Sequence, residues 1–97
     1  MKRSIQLSPD DTVVTVLSPA KAGDTYSIVD VTGKECGQIT LAEDIPFAHK
    51  AAVKEMRAGD KVIKMNVVIG EASKNISIGN YVHVHNVLSI EGRRGIK

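Results

Sequence analysis

Short runs of apolar and β-branched residues, separated by turn-forming residues, constrain the fold of this sequence more than any other feature. Glycine, aspartate and asparagine interrupt the runs at short intervals, which favours short β-strands over alternating strands and helices. The runs are "TVVTVLS" (12–18), "YSIVDVT" (26–32), "CGQITLAED" (36–44) and "KVIKMNVVIGEAS" (61–73). Within the last run, Met65-Asn66 predicts a tight turn between two strands. The sequence therefore predicts an all-β fold.

One segment departs from this pattern. In "PFAHKAAVKEM" (46–56), a proline is followed by alanine, lysine, glutamate and methionine. Proline is common at the first position of a helix, so the segment predicts a short helix or turn that starts near Pro46. Another extended segment is the alternative interpretation.

A weak internal repeat connects three parts of the chain. The segments "AKAGDTYSI" (20–28), "MRAGDKVIK" (56–64) and "SIGNYVHVH" (77–85) each place Gly before Asp or Asn, two residues ahead of a strand-opening residue. Such a pair forms turns, so we expect the same loop-to-strand connection three times. The unequal spacing excludes a solenoid.

The length and composition limit the class of protein. A chain of 97 residues predicts one domain, which we place at 1–90, with 91–97 as a C-terminal tail. The lone Cys36 allows no internal disulfide and fits a reducing, cytoplasmic location. The N-terminus does not resemble a signal peptide, and no run approaches the roughly 20 apolar residues of a membrane span.

Nucleic acid is not an expected partner. The formal net charge is only +2, and tryptophan is absent. The aromatic residues that could stack on bases are scattered rather than interleaved with a basic stripe.

Two of the three histidines lie one residue apart in "NYVHVHNV" (80–87), which predicts a strand. Side chains alternate across a strand, so His83 and His85 would share one face, with Val82 and Val84 on the other. Such a pair could bind a metal or a substrate, although two ligands are too few to hold a metal tightly. His49 or another chain could supply the third ligand, and we favour the other chain. A solvated strand face is the alternative, and a bulge would separate the pair.

Three further polar residues are candidates for binding. Lys50, next to His49, could pair with a carboxylate and would lower the pKa of the imidazole, unless it is simply an exposed lysine. Asn86 either points to the opposite strand face or ends the strand and bonds to a loop. In "EGRRG" (91–95), Arg93 and Arg94 could bind a carboxylate or an acidic partner surface. A frayed tail is the alternative for these arginines.

The segments "HKAAVKEMRAGDKVIK", "IGEASKNISIGNYVHVHN" and "SIEGRRG" together resemble the SAF-type N-terminal domain of the altronate and galactarate dehydratases. They cover roughly half of the chain, and the first 40 residues match only in length and style. The resemblance implies a β-clip architecture of short strands and long loops. In that family the domain is either fused to a large catalytic domain or made as a separate small subunit. Because the chain ends soon after the motif, we expect the small subunit.

The resemblance implies a hydro-lyase subunit that is inactive alone and acts with a larger catalytic subunit. It would remove water from a sugar acid of the altronate type to give a 2-keto-3-deoxy acid. His49, His83 and His85 would be catalytic, and Lys50, Asn86 and Arg93 would bind substrate. A divalent metal, iron or manganese, would be shared with the larger subunit, with His83 and His85 as ligands.

Two other functions compete with this interpretation. Sulfolactate sulfo-lyase has the same small-subunit arrangement and expels sulfite instead of water. SAF-like domains also occur as non-catalytic modules that bind carbohydrate or assist assembly.

The acidic residues Asp10, Asp11, Glu43 and Asp44 lie at predicted turns, where capping explains them without catalysis. The oligomeric state is left open, a homo-oligomer included.

Overall fold

The computed structural model describes residues 2–89, and their regular secondary structure consists entirely of β-strands. This confirms the predicted all-β fold. In chain order the strands are β1 (Arg3–Ile5), β2 (Val13–Val16), β3 (Thr25–Val29), β4 (Glu35–Thr40), β5 (Lys50–Ala52), β6 (Lys61–Lys64), β7 (Val67–Ala72), β8 (Tyr81–Val82) and β9 (Val87–Ser89).

The strands form two sheets. The six-stranded sheet has the order β4-β3-β1-β2-β5-β8, in which β1 and β3 are parallel and the other neighbours are antiparallel. The three-stranded sheet has the order β6-β7-β9 and is antiparallel throughout. Strand β8 is therefore an edge of the larger sheet, next to β5.

The β6–β7 connection is the tight turn that the sequence predicts. Met65 and Asn66 have φ angles of 55° and 60°, as a two-residue turn of the I′ type requires at both positions. The buried carboxylate of Asp11 accepts hydrogen bonds from both of their backbone N–H groups, each at 2.9 Å. It also accepts one from Ser8 N–H, so Asp11 is a structural cap, as expected.

Alternation along β2 and β5 divides the core into two clusters. Val14, Val16 and Ala51 belong to one cluster, whereas Val13 and Ala52 belong to the other. The first cluster also contains Tyr26, Leu41 and Ile45, and the second contains Met56, Val62, Ile76 and Val82. The β2–β5 part of the larger sheet is thus buried on both faces, which explains its small and β-branched residues.

The helix considered for residues 46–56 is wrong, and the extended alternative is correct. The segment forms a turn, then β5, and then an isolated bridge between Met56 and Ile76. Strand β5 pairs with β2 on one side and β8 on the other. These pairings outweigh the helix preference of alanine, lysine and glutamate, because tertiary contacts override intrinsic propensity.

The repeated turn occurs at all three expected places. Gly23, Gly59 and Gly79 have φ angles of 93°, 95° and 91°, a region that residues with a side chain rarely adopt. In each turn the following Asp or Asn donates its backbone N–H to the carbonyl three residues earlier. Its side-chain oxygen accepts the N–H of that same earlier residue. The pairs are Asp24–Lys21, Asp60–Arg57 and Asn80–Ser77.

Candidate functional site

A fourth copy of this turn precedes β5, in "IPFAHK" (45–50). The His49 N–H donates to the Pro46 carbonyl at 3.1 Å, and Ala48 has a φ of 68° where the other copies have glycine. Ala48 N–H donates to the Val16 carbonyl, and Val16 N–H donates to the His49 carbonyl. Gly23 and Asp24 make the same two bonds with Leu41 in the first copy, so the backbones are equivalent.

In the fourth copy, the side chain at position 49 does not accept the backbone N–H of the first turn residue, as Asp or Asn does in the other copies. Proline has no N–H, so Pro46 offers nothing for a side chain at position 49 to accept. Histidine stands there in place of Asp or Asn, and its Nδ1 lies 3.1 Å from the Phe47 carbonyl oxygen. That contact is a hydrogen bond when Nδ1 carries the proton, which leaves Nε2 as the acceptor nitrogen of the neutral ring.

The His49 ring belongs to a cluster centred on Tyr81, the first residue of β8. The ring centroid of Tyr81 lies 5.8 Å from His49, 5.5 Å from His83 and 5.5 Å from His85. His83 is nearly parallel to Tyr81, at 13°, and meets His49 at 60° with centroids 5.2 Å apart. The structure therefore brings the three histidines to one aromatic side chain. From the sequence, Tyr81 was only one of the scattered aromatic residues that could stack on bases.

His83 and His85 do not lie on one face of a regular strand. Strand β8 ends at Val82, and residues 83–86 form a turn that is closed by Asn86 N–H donating to the His83 carbonyl. Val84, expected to back the histidines, is 81% exposed at this turn. The turn displays His83, Val84 and His85 at the edge of the larger sheet.

Asn86 is the reason that the strand stops. Its side-chain Oδ1 accepts the His83 N–H at 2.9 Å, and its Nδ2 donates to the Tyr81 carbonyl at 2.7 Å. The residue is 4% exposed, so this amide satisfies backbone groups beneath the histidine turn. Of the two alternatives for Asn86, the loop-bonding one is confirmed.

A cleft of about 210 Å³ lies between the two sheets, next to the histidine turn. Lys50 and His83 are its polar side chains, and Ile69, Val82, Val84 and Val87 supply its apolar lining. Lys50 is half-buried on β5 and pairs with Val82 across the strands. Burial lowers the pKa of Lys50, and the positive charge of Lys64 on β6 lowers it further.

The other candidates from the sequence have different outcomes. Glu43 accepts the Tyr81 N–H at 3.0 Å and Asp44 accepts the Ala22 N–H at 2.8 Å, so both cap backbone groups as expected. Arg93, predicted to bind substrate, lies outside the described residues.

The described residues do not assemble a metal site by themselves. Between residues 2 and 89, no three His, Cys, Asp or Glu side chains are grouped so that they could hold a metal ion. The histidines instead surround the Tyr81 ring.

In the same part of the chain, no helix has the length and apolar character needed to cross a membrane.

Comparison with known proteins identifies relatives of two kinds. The altronate/galactarate dehydratase SAF domain family matches residues 2–90. "Altronate dehydratase" of Bacillus subtilis is 33% identical over 86 residues, which are 89% of this chain and 16% of that protein. This chain thus spans about a sixth of the length of that relative.

The second kind of relative is covered by this chain over most of its own length. "(2R)-sulfolactate sulfo-lyase subunit alpha" of Paracoccus pantotrophus is 43% identical over 49 residues, 50% of this chain and 73% of that protein. The protein of the same name in Chromohalobacter salexigens is 34% identical over 80 residues, 68% of this chain and 85% of that protein.

Proposed function

Because this chain belongs to the family of altronate/galactarate dehydratase SAF domains, we propose that it is the small subunit of a lyase that dehydrates a sugar acid. The observation that carries the proposal is the convergence of His49, His83 and His85 on Tyr81, beside Lys50. The reaction would give a 2-keto-3-deoxy acid.

The side chains at this edge have the chemistry that dehydration needs, which supports the proposal. The reaction removes a proton from the carbon next to the carboxylate and expels a hydroxyl from the neighbouring carbon, so it needs a base and an acid. His49 and His83, with ring centroids 5.2 Å apart, could divide these two roles. The Lys50 ammonium could pair with the substrate carboxylate and stabilise the charge that develops on it.

A larger chain is part of the proposal, because the histidine turn is open to water. His85 and Val84 are exposed, and an active site of this kind gains from the exclusion of water. Two relatives support the idea, since the sulfo-lyase proteins that this chain covers to 73% and 85% of their length are each named "subunit alpha". A divalent ion, iron or manganese, would be bound with ligands from the larger chain, as two imidazoles are too few.

We place the enzyme in the cytoplasm, where the exposed thiol of Cys36 would stay reduced.

Copurification tests this proposal directly. The tagged chain is purified from its own organism under mild conditions, and mass spectrometry identifies any stoichiometric partner. The preparation and the isolated chain are then assayed with altronate and galactarate. We expect a larger partner, formation of a 2-keto acid by the pair, and no turnover by the isolated chain. Turnover by the isolated chain, or a pair inactive on every sugar acid, would contradict the proposal.

A sulfo-lyase subunit is the second candidate, favoured by the extent to which the chain covers the two sulfo-lyase relatives. The same base, acid and cation would then expel sulfite from sulfolactate. Sulfite release measured on the same preparation separates the two lyases. A preparation that contains a carbohydrate but no partner and no lyase activity would indicate a non-catalytic binding module.

A further inference from the structure

The Tyr81 backbone is fixed on both sides, although β8 is an edge of the larger sheet. Its N–H donates to Glu43 Oε2 at 3.0 Å, and its carbonyl accepts a hydrogen bond from Asn86 Nδ2 at 2.7 Å. On the other side, Tyr81 pairs with Ala51 of β5. Its side chain also packs against the first core cluster. The Tyr81 ring therefore projects from a backbone that three separate segments hold in place.

The hydroxyl group of Tyr81 does not explain this anchoring. Within residues 2–89, the hydrogen bonds of Tyr81 are made by its backbone. The other tyrosine differs, because the Tyr26 hydroxyl donates to the Ser18 carbonyl at 3.0 Å. What the Tyr81 side chain contributes to its surroundings is therefore its ring.

The Tyr81 ring meets the imidazoles in geometries that restrict their rotation. Aromatic pairs are favourable when they are offset-stacked or edge-to-face, with centroids about 4.5–7 Å apart. His83 is stacked on Tyr81 at 13° with centroids 5.5 Å apart, and His49 meets it edge-on at 73° and 5.8 Å. His49 and His83 are half-buried, whereas their chain neighbours Ala48 and Val84 are exposed. The ring thus packs against both imidazoles although they belong to turns at the sheet edge.

We propose that Tyr81 is the positioning residue of the candidate site, and that its ring rather than its hydroxyl sets the separation of the His49 and His83 imidazoles. The inference rests on the proposed function, in which these two imidazoles are the base and the acid. Both groups must keep their distance and orientation to act on neighbouring carbons, and a misplacement of about 1 Å can cost about 100-fold in rate. Without the ring, both imidazoles would rotate freely on their turns. Phenylalanine should replace Tyr81 without loss.

The distance between the two imidazoles tests the inference on the purified chain. In protein with isotope-labelled histidine, the NOE between the carbon-bound ring protons of His49 and His83 reports their approach and involves no atom of Tyr81. We expect this NOE in the wild-type chain and in Tyr81→Phe, and its loss in Tyr81→Leu. An NOE of wild-type strength in Tyr81→Leu would overturn the proposal. Loss of the NOE in Tyr81→Phe would assign the effect to the hydroxyl and would overturn it as well.

Urea denaturation of each variant checks that it is folded under the conditions of the NOE measurement. Tyr81→Met repeats the test if Tyr81→Leu does not fold, because its longer side chain fills more of the space against the core.

Kinetics of the assembled enzyme separate this inference from the proposed function. Tyr81→Leu should lower kcat by about 100-fold with KM nearly unchanged, because misplaced acid–base groups weaken stabilisation of the transition state rather than substrate binding. Tyr81→Phe should keep the wild-type kcat. Ile78→Ala is the control, since it shortens an exposed side chain in the turn before β8, and it should leave kcat unchanged.

The two ways of failing are distinguishable. An active complex whose kcat is unchanged by Tyr81→Leu would overturn the positioning role of Tyr81 and leave the proposed function standing. A wild-type complex without lyase activity would overturn the proposed function, and with it the catalytic meaning of the positioning, whatever the NOE shows.

Discussion

The His49 and His83 rings meet at 60° with their centroids 5.2 Å apart, although they belong to different turns of the chain. His49 belongs to the turn before β5, in which histidine replaces the Asp or Asn of the repeat. His83 arrives through a turn that the Asn86 side chain closes. Backbone hydrogen bonds fix each turn, so the fold brings the two histidines close together.

Ala48→Gly should stabilise the protein. Ala48 has a φ of 68°, where a side chain is strained, and glycine occupies this position in the other three copies of the turn. Relief of such strain contributes about 1 kcal/mol to the free energy of unfolding. Urea denaturation measures it, with Ala58→Gly as the control. Ala58 precedes Gly59 in the second copy of the turn, and its own φ is not positive. Glycine should therefore destabilise the protein at position 58. Destabilisation by Ala48→Gly would contradict this account of the fourth turn.

The double variant Pro46→Lys, His49→Asp should keep the fold and lose activity. It restores the N–H and the carboxylate that bond to each other in the first and second copies. We expect a stability close to that of the wild-type chain, but a kcat of the enzyme containing it reduced about 100-fold through loss of an acid–base group. If activity survives, His49 has only a structural role.

Asn86→Ala should destabilise the chain by about 2 kcal/mol, because it removes the buried side chain that pairs the partly buried His83 N–H and Tyr81 carbonyl. Chemical denaturation gives the magnitude. Asn75→Ala is a matched control, since the exposed Asn75 also accepts a backbone N–H, from Ala58, but water can replace it. Equal losses from the two variants would show that burial of Asn86 is unimportant.

Lys50→Met should be more stable than the wild-type chain at neutral pH, and the difference should shrink as the pH rises. The pKa of Lys50 in the folded state lies below its ordinary value of 10.5, owing to burial and to Lys64. Below the folded pKa the amine is charged in both states, and only the folded state bears the cost of its burial. Between the folded pKa and 10.5 the folded state loses the proton first, so the wild-type chain gains stability with pH.

Paired unfolding measurements from neutral pH to above 10.5 check this result. His49, His83 and Tyr81 also lie near Lys50, and comparing the two proteins at each pH cancels their own titrations. A difference that does not change with pH would contradict the lowered pKa of Lys50.

Much of the fold could be predicted from local sequence. Met65-Asn66 and the Gly-Asp and Gly-Asn pairs identify turns because few residues adopt a positive φ without strain. A turn near Pro46 was one of the two predictions for the segment before β5, and the structure has one there. Its equivalence to the three Gly turns was not predicted, because alanine and histidine replace both diagnostic residues. The helix interpretation of 46–56 failed because strand pairing with β2 and β8 is not visible in local propensity.

The candidate site was only partly predictable. The close spacing of His83 and His85 identified the segment that carries two of the three clustered imidazoles, but not its geometry. Asparagine can extend a strand or end it, and only the hydrogen-bond partners of the buried Asn86 decide between the two. The role of Tyr81 as the centre of the cluster depends on contacts between distant parts of the chain. The effect of the Lys64 charge on the pKa of Lys50 likewise acts between different strands.

The most direct test of the account is kcat for sugar-acid dehydration by the enzyme that contains this chain, with His83→Gln in place of the wild-type residue. Lys34→Ala is the control, because Lys34 is exposed in the β3–β4 turn, at the opposite edge of the larger sheet from β8. Both variants should assemble with the larger chain. The account predicts a fall in kcat of about 100-fold for His83→Gln and no change for Lys34→Ala. An unchanged kcat for His83→Gln in a fully assembled enzyme would contradict the claim that this chain carries part of the active site.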